Sequence, residues 1–197
     1  MKTLFLGVLL TAWCLAARPQ GTVNFINVTV PVGLNAPVYH SDGVTPLSGP
    51  QFQAELLGGL SASNMVSIAT TGFLQGNGAG YFNGGEQTIT AVPGGGIAWV
   101  QVEVWNTASG ASFSQTRASA LPDSWWESAA FTVVTGRDGV NPTLPAFLLG
   151  LGDAPVFLNS VPEPSTFALI GLGSAAALLH IRRRKRFSVL LGKSGWK

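Results

Sequence analysis

Apolar and polar residues alternate with a period of two along much of residues 20–160, which predicts strands rather than helices. The clearest run is Ile97–Asn106. Ala98, Val100, Val102 and Val104 fall on one face, and Trp99, Gln101, Glu103 and Trp105 on the other. Successive side chains of a strand point to opposite sides, so the valine face belongs to a core. Gln51–Leu57 repeats the pattern, with Phe52, Ala54 and Leu56 inward and Gln53 and Glu55 outward. Thr22–Val30 loses step at Phe25-Ile26, and a single bulge there restores the alternation. Further strands are predicted at Val66–Thr71, Gly80–Asn83, Gln87–Val92, Ala129–Thr135 and Pro155–Leu158.

Turn chemistry separates these runs. Asp42-Gly43, Asn77-Gly78, Asn83-Gly84 and Asp138-Gly139 read as turns because Asn, Asp and Gly tolerate positive φ, and Pro93-Gly94-Gly95-Gly96 is a further break. Leu121–Glu127 reads as one helical turn on a loop, since Ser124-x-x-Glu127 has the form of a capping box. Seven or eight short strands between frequent turns predict a mainly β chain, a single antiparallel β-sandwich of Ig-like or prealbumin-like kind over residues 18–160.

The pattern changes at both ends. Met1-Lys2-Thr3 is followed by an uncharged run, Leu4 to Leu15, and by Ala16-Ala17. Residues 1–17 therefore read as a secretory signal peptide, which implies signal peptidase and the export machinery as partners. Lipoprotein processing at Cys14 is disfavoured because bulky Trp13 stands where a small residue is needed. At the other end Ser165 to Ile181 gives seventeen residues with no charge, roughly 25 Å of helix, which predicts one C-terminal transmembrane helix. Pro162 and Pro164 prevent that helix from extending toward the body. Arg182, Arg183, Arg184, Lys185 and Arg186 form a basic stop that assigns this side to the cytoplasm and leaves the body outside. Residues 187–197 then form a cytoplasmic tail.

Charge changes the picture once it is divided. The formal net charge is +2, yet between Gly21 and Ser160 two basic residues face eight acidic ones, a formal charge of −6. Nucleic-acid binding by the body is unexpected, because it rests on Lys and Arg neutralising phosphates. The body has no lysine, so Schiff-base chemistry and lysine crosslinks are excluded. The single cysteine, Cys14, lies in the signal segment, leaving the body without disulfide or thiolate ligand. No carboxylate cluster has calcium-loop spacing, and Gly76–Gly80 lacks the Lys-Ser/Thr ending of a phosphate loop. No metal and no cofactor is expected.

Three candidate sites remain. His40, the body's only histidine, reads as a surface residue without a serine elbow to serve. Asp123 and Glu127 flank Trp125-Trp126, and paired carboxylates beside tryptophan are the equipment of a glycoside hydrolase. The stronger candidate is the row Trp99, Gln101, Glu103, Trp105: flat rings stack on sugars while amide and carboxylate take hydroxyls, which would make the strand a glycan platform for an exopolysaccharide. The bland alternative packs those tryptophans under a neighbouring loop. Asn27-Val28-Thr29 matches a glycosylation acceptor triplet.

Val161-Pro162-Glu163-Pro164-Ser165, the apolar segment with Gly171 and Gly173, and the arginine cluster together resemble the PEP-CTERM sorting signal of Gram-negative bacteria over residues 161–186. The resemblance implies recognition at Pro162, Glu163 and Pro164 by an exosortase, a membrane cysteine protease or transpeptidase. It further implies release of the body toward the outer surface or an exopolysaccharide matrix. The tail Phe187–Lys197 departs from the pattern, which usually stops soon after the arginines. Gly21–Phe25, Leu47–Phe52, Gly80–Gly85 and Val100–Trp105 also resemble segments of exported proteins that carry this signal, a likeness that implies no activity. The resulting expectation is a non-enzymatic surface or matrix protein, with glycan binding and glycoside hydrolysis as the open alternatives.

Overall fold

The computed structural model describes residues 19–137 and 142–159, and they are mainly β. The strands are β1 (Gln20–Ile26), β2 (Val28–Thr29), β3 (Leu34–Asn35), β4 (Val38–Tyr39), β5 (Phe52–Gly59), β6 (Met65–Gly72), β7 (Asn83–Pro93), β8 (Ile97–Asn106), β9 (Trp125–Glu127), β10 (Phe131–Val134), β11 (Gly136–Arg137), β12 (Ala146–Phe147) and β13 (Val156–Phe157). Among the described residues one α-helix, α1 (Phe113–Ser119), lies between β8 and β9.

Two larger sheets organise these strands. In one, β1 pairs antiparallel with β7 along its length and is bordered on its other side by β11 (antiparallel) and β12 (parallel). In the other, β8 is central: β5 runs antiparallel along one side, and β9 and β10 follow one another along the other. β6 lies outside β5. Two small pairs, β2–β3 and the parallel β4–β13, complete the set. The pairing is thus antiparallel throughout except for β12 and β13.

The core follows from alternation. Ala98, Val100, Val102 and Val104 of β8 are all 0% exposed, as are Ala54 and Leu56 of β5, while Phe52 is 4% exposed. They join Val23 and Phe25 of β1 and Ile89 and Val92 of β7 in one apolar cluster, so both sheets feed the same core. Each fully buried valine contributes about 1.5–3 kcal/mol. The body has no cysteine, and this core carries the stability that disulfides supply in many exported domains.

The register of β1 on β7 shifts between Phe25 and Ile26, but the bulge is not in β1 as expected: Phe25 pairs with Gly85 and Ile26 with Asn83, so the extra residue is Gly84 of β7. Gly84 makes the shift possible, because a Cβ there would lie 2.4 Å from the Phe25 ring. Pro93–Gly96 turns as expected, with Gly96 N–H donating to the Pro93 carbonyl at 2.8 Å and Gly95 at φ 78. In the Asp42-Gly43 turn, the Asp42 carboxylate accepts from the Thr45 hydroxyl at 2.6 Å and from the Thr45 and Val44 amides, both at 2.9 Å. Those donors, the Thr45 hydroxyl first, hold the carboxyl at about 2, below the ordinary aspartate value.

Several expectations are corrected. Gly80–Asn83 is not a strand of its own: only a bridge from Phe82 to Phe73 forms there, and Asn83-Gly84 opens the long β7 instead of turning. Leu121–Glu127 is not a helical turn, because Trp125–Glu127 pairs with β8 as β9. The helix lies earlier, capped by Ser112, whose Oγ accepts from Gln115 N at 3.4 Å, while Gln115 Oε1 accepts from the N–H of Ala111, the residue before the cap, at 3.0 Å. Among the described residues no helix is long and apolar enough to cross a membrane. The signal segment 1–17, Asp138-Gly139 and everything from residue 160 onward, including the predicted membrane helix, lie outside the described residues.

Asn27, the first residue of the acceptor triplet, is a buried structural tie. It is 0% exposed, which is incompatible with carrying a glycan. Its Nδ2 donates to the carbonyls of Ala36 (2.8 Å) and Gly80 (3.1 Å), and its Oδ1 accepts from Phe82 N at 2.8 Å. One amide thereby ties the end of β1 to two distant loops. Asn27→Ala leaves buried amide and carbonyl groups unpaired and is expected to lower stability by roughly 3 kcal/mol. Urea denaturation followed by tryptophan fluorescence measures this, and a loss below ~1 kcal/mol would contradict the assigned role.

Candidate functional site

Because the valine face of β8 is buried, its other face is forced outward, and strand register decides what stands beside it. Glu103 of β8 lies opposite Glu55 of β5 on one side and Glu127 of β9 on the other. Three carboxylates from three strands therefore stand in one cross-strand row. One position along, Trp105 faces Gln53 and Trp125. Toward the other end Gln101 faces Leu57, and Trp99 faces Gly59 and Thr132. The predicted row Trp99, Gln101, Glu103, Trp105 does share a face, and the structure adds Glu55, Trp125 and Glu127 to it.

The row is not uniformly open. Trp99, Gln101 and Glu103 are half-buried, but Trp105 is only 5% exposed. This corrects the picture of two tryptophans flanking an open platform, since Trp105 belongs to the covered end. The cover is α1, which packs against β8 and β9. Its Phe113 meets the Trp125 ring edge-on at 5.9 Å between centroids, and its Arg117 guanidinium lies 5.2 Å from the Trp125 ring centre. Trp125 and Trp99 are the half-exposed rings of this face.

Electrostatics single out Glu103. Partial burial, then the charges of Glu55 and Glu127, push its carboxyl up to about 7, with Arg117 opposing. Both flanking glutamates have donors of their own. Arg117 Nη1 bonds Glu127 Oε2 at 2.8 Å, and the Ser67 hydroxyl donates to Glu55 Oε1. The middle carboxyl is thus the one that takes up a proton near neutrality. A protonated carboxyl between carboxylates can donate a hydrogen bond to a ligand hydroxyl and is the state an acid catalyst needs. Among the described residues no group of three His, Cys, Asp or Glu side chains is placed to hold a metal ion.

The two residues of the other predicted pair, Asp123 and Glu127, take separate partners. Glu127 is engaged by Arg117, whereas Asp123 turns to His40, 83 residues away, whose Nδ1 bonds Asp123 Oδ2. Asp123 Oδ1 also accepts from Ser41 N at 2.7 Å, and Asp123 adopts φ 53. His40 is therefore a partly buried tie between two loops rather than a plain surface residue, with its ring edge-on to Phe52 at 5.1 Å. Among the described residues no serine or threonine hydroxyl bonds it as a nucleophile would. Nothing local announces this pairing; a lone histidine and a lone aspartate in turns carry no periodicity.

Beyond the body, the comparison with known families is decisive for the C-terminal end. Residues 160–185 match the PEP-CTERM protein-sorting motif. The chain carries an exosortase sorting signal. The match includes Pro162, Glu163 and Pro164 and four of the five stop residues, Arg182 to Lys185. The PEP-CTERM motif marks an exported protein handled by exosortase-type processing at a membrane. Neither a curated protein nor a solved structure matches the chain.

The raised Glu103 carboxyl has a definite sign in stability. Its folded value, about 7, lies above the ordinary 4.5, so between those pH values the folded state binds more protons than the unfolded state. Stability then falls as pH rises through that window and levels off above it. Glu103→Gln, neutral at every pH, is expected to flatten the fall. Melting temperatures of wild type and variant at pH 5 and pH 8 test this; parallel pH profiles would contradict the assignment.

Proposed function

We propose that this is an exported, non-enzymatic cell-surface or matrix protein. Its two sheets face each other as a β-sandwich, a helix over about residues 165–181 anchors it with the body outside the cytoplasm, and processing acts at Pro162-Glu163-Pro164. The observation that carries this reading is the sorting motif at residues 160–185, directly following a β body. An acidic body without lysine or cysteine suits a stable, inert export product. The basic cluster Arg182–Arg186 supports retention of the tail side in the cytoplasm until processing. The test is Glu163→Ala in the native host, with mass and fractionation as readouts. Wild type should lose its C-terminal segment and reach the outer surface, while the variant stays full-length in the inner membrane. Identical mass and location for the two would refute the reading.

A second reading is favoured by the half-exposed Trp99, Gln101, Glu103 and Trp125 on one sheet face. This is the chemistry of a saccharide contact, with rings for stacking and polar groups for hydroxyls. Trp105→Ala is a poor probe because the residue is buried, so Trp99→Ala combined with Trp125→Ala is the informative variant. If the face binds the host's exopolysaccharide, retention on a column of that polymer drops at least several-fold while the melting temperature stays close to wild type. Unchanged retention removes this reading. The proton on Glu103 also meets the requirement for acid catalysis at a glycosidic oxygen. Reducing-end release by wild type, lost in Glu103→Gln, would replace the non-enzymatic reading with a hydrolytic one.

A further inference from the structure

The described chain ends in a polar lock. β13 lies parallel to β4, Leu158 is buried with its N–H on the Tyr39 carbonyl at 3.0 Å, and Asn159 then closes onto segment 121–125. Asn159 N–H donates to the Trp125 carbonyl at 2.8 Å, and its own carbonyl accepts from Asp123 N at 2.7 Å. Its side chain spans the same segment: Oδ1 accepts from Ser124 N (3.0 Å) and Trp125 N (2.9 Å), and Nδ2 donates to the Leu121 carbonyl at 2.9 Å. The segment that receives it is itself held, through Asp123, by His40 and Ser41.

Only Ser160 and Val161 separate Asn159 from Pro162 in the chain. Three peptide steps reach at most ~10 Å even when fully extended. That is about the diameter of one helix with its side chains. While Asn159 stays bonded, an enzyme seating Pro162-Glu163-Pro164 in a cleft cannot place even one helix of its own wall between the motif and the body.

We propose that Asn159 is a positioning residue for processing of the sorting signal: it holds the upstream flank of the motif on the body, and the enzyme gains that flank when the 156–159 tail lifts off. The proposal rests on the sorting reading above. The tail suits such release. Its strand is two residues long, so it opens locally at the cost of exposing Leu158 and Val156 from the edge of the core, and processing samples the opened fraction. The side chain of Asn159 makes three of the bonds that set this fraction. Sorting is thereby coupled to the local stability of one short segment, and the rest of the body remains folded during the event.

Pulse-chase in the native host measures the half-life of the full-length chain. Asn159→Ala removes the side-chain bonds and should shorten that half-life several-fold. A Gly/Ser insertion between Ser160 and Val161 that about triples the reach leaves the lock intact and should shorten it similarly. In the inserted chain Asn159→Ala should add nothing further, because both changes relieve one constraint. A merely structural Asn159 would lower the melting temperature of both Asn159→Ala chains without this non-additivity. An unchanged half-life in the inserted chain overturns the proposal, and so does slower processing of Asn159→Ala. If no chain shortens, wild type included, the sorting reading itself fails and the proposal with it.

Discussion

Burial of one face of β8 is the constraint on which the rest of the body depends. Three strands take their register from it, and its inward residues are wholly enclosed. A slip by one residue would bring Trp, Gln and Glu into the core and expel the valines. The magnitudes favour the observed register strongly. Each valine contributes about 1.5–3 kcal/mol, whereas like charges facing across a strand pair cost up to about 1 kcal/mol. Glu55, Glu103 and Glu127 therefore line up because the core demands it, against their own repulsion.

That repulsion has a consequence for chemistry. The body has formal charge −6 and, among the described residues, Arg117 of α1 is the cation brought to the row, so partial burial and then the flanking carboxylates raise the middle carboxyl to about 7. The outward face thus combines a carboxyl that takes up a proton more readily than usual, an amide and partly exposed indoles on a rigid sheet. The same α1 that supplies Arg117 covers Trp105 and shortens the usable face. A surface of this kind is a property of the packed sheets, and it is available to a ligand only toward Trp99 and Trp125.

A body without disulfides keeps its loops in place with buried or partly buried polar groups. Asn27 ties the end of β1 to loops around Ala36 and Gly80, His40 ties to Asp123, and Asn159 ties the last described residue to 121–125. Each bridges residues far apart in sequence. Their distribution explains how a segment as short as β13 can end the body in a defined place, directly before the sorting signal. The core supplies the bulk of the stability, and these amides and carboxylates specify where the chain enters and leaves it.

Reading the residues alone identified what depends on local pattern. The limits and faces of β8, the inward set of β5 and the glycine turn before β8 all follow from period-two alternation and turn chemistry, which act over a few residues. The three-part C-terminal signal is local in the same way and matches its family. Leu121–Glu127 was misread because Ser124-x-x-Glu127 imitates a cap, whereas pairing with β8 outweighs local propensity; Ser112-x-x-Gln115 was the cap to follow. The Asn27 triplet looked like an acceptor site, but burial is decided by what packs around it. The glutamate row, the His40–Asp123 tie and the Asn159 lock join residues dozens of positions apart, and no local pattern encodes which strand lies beside which. The sequence by itself determined the faces of the strands and the address of the chain. The tertiary structure decided which faces meet, because register between distant strands is set by the burial of a shared core.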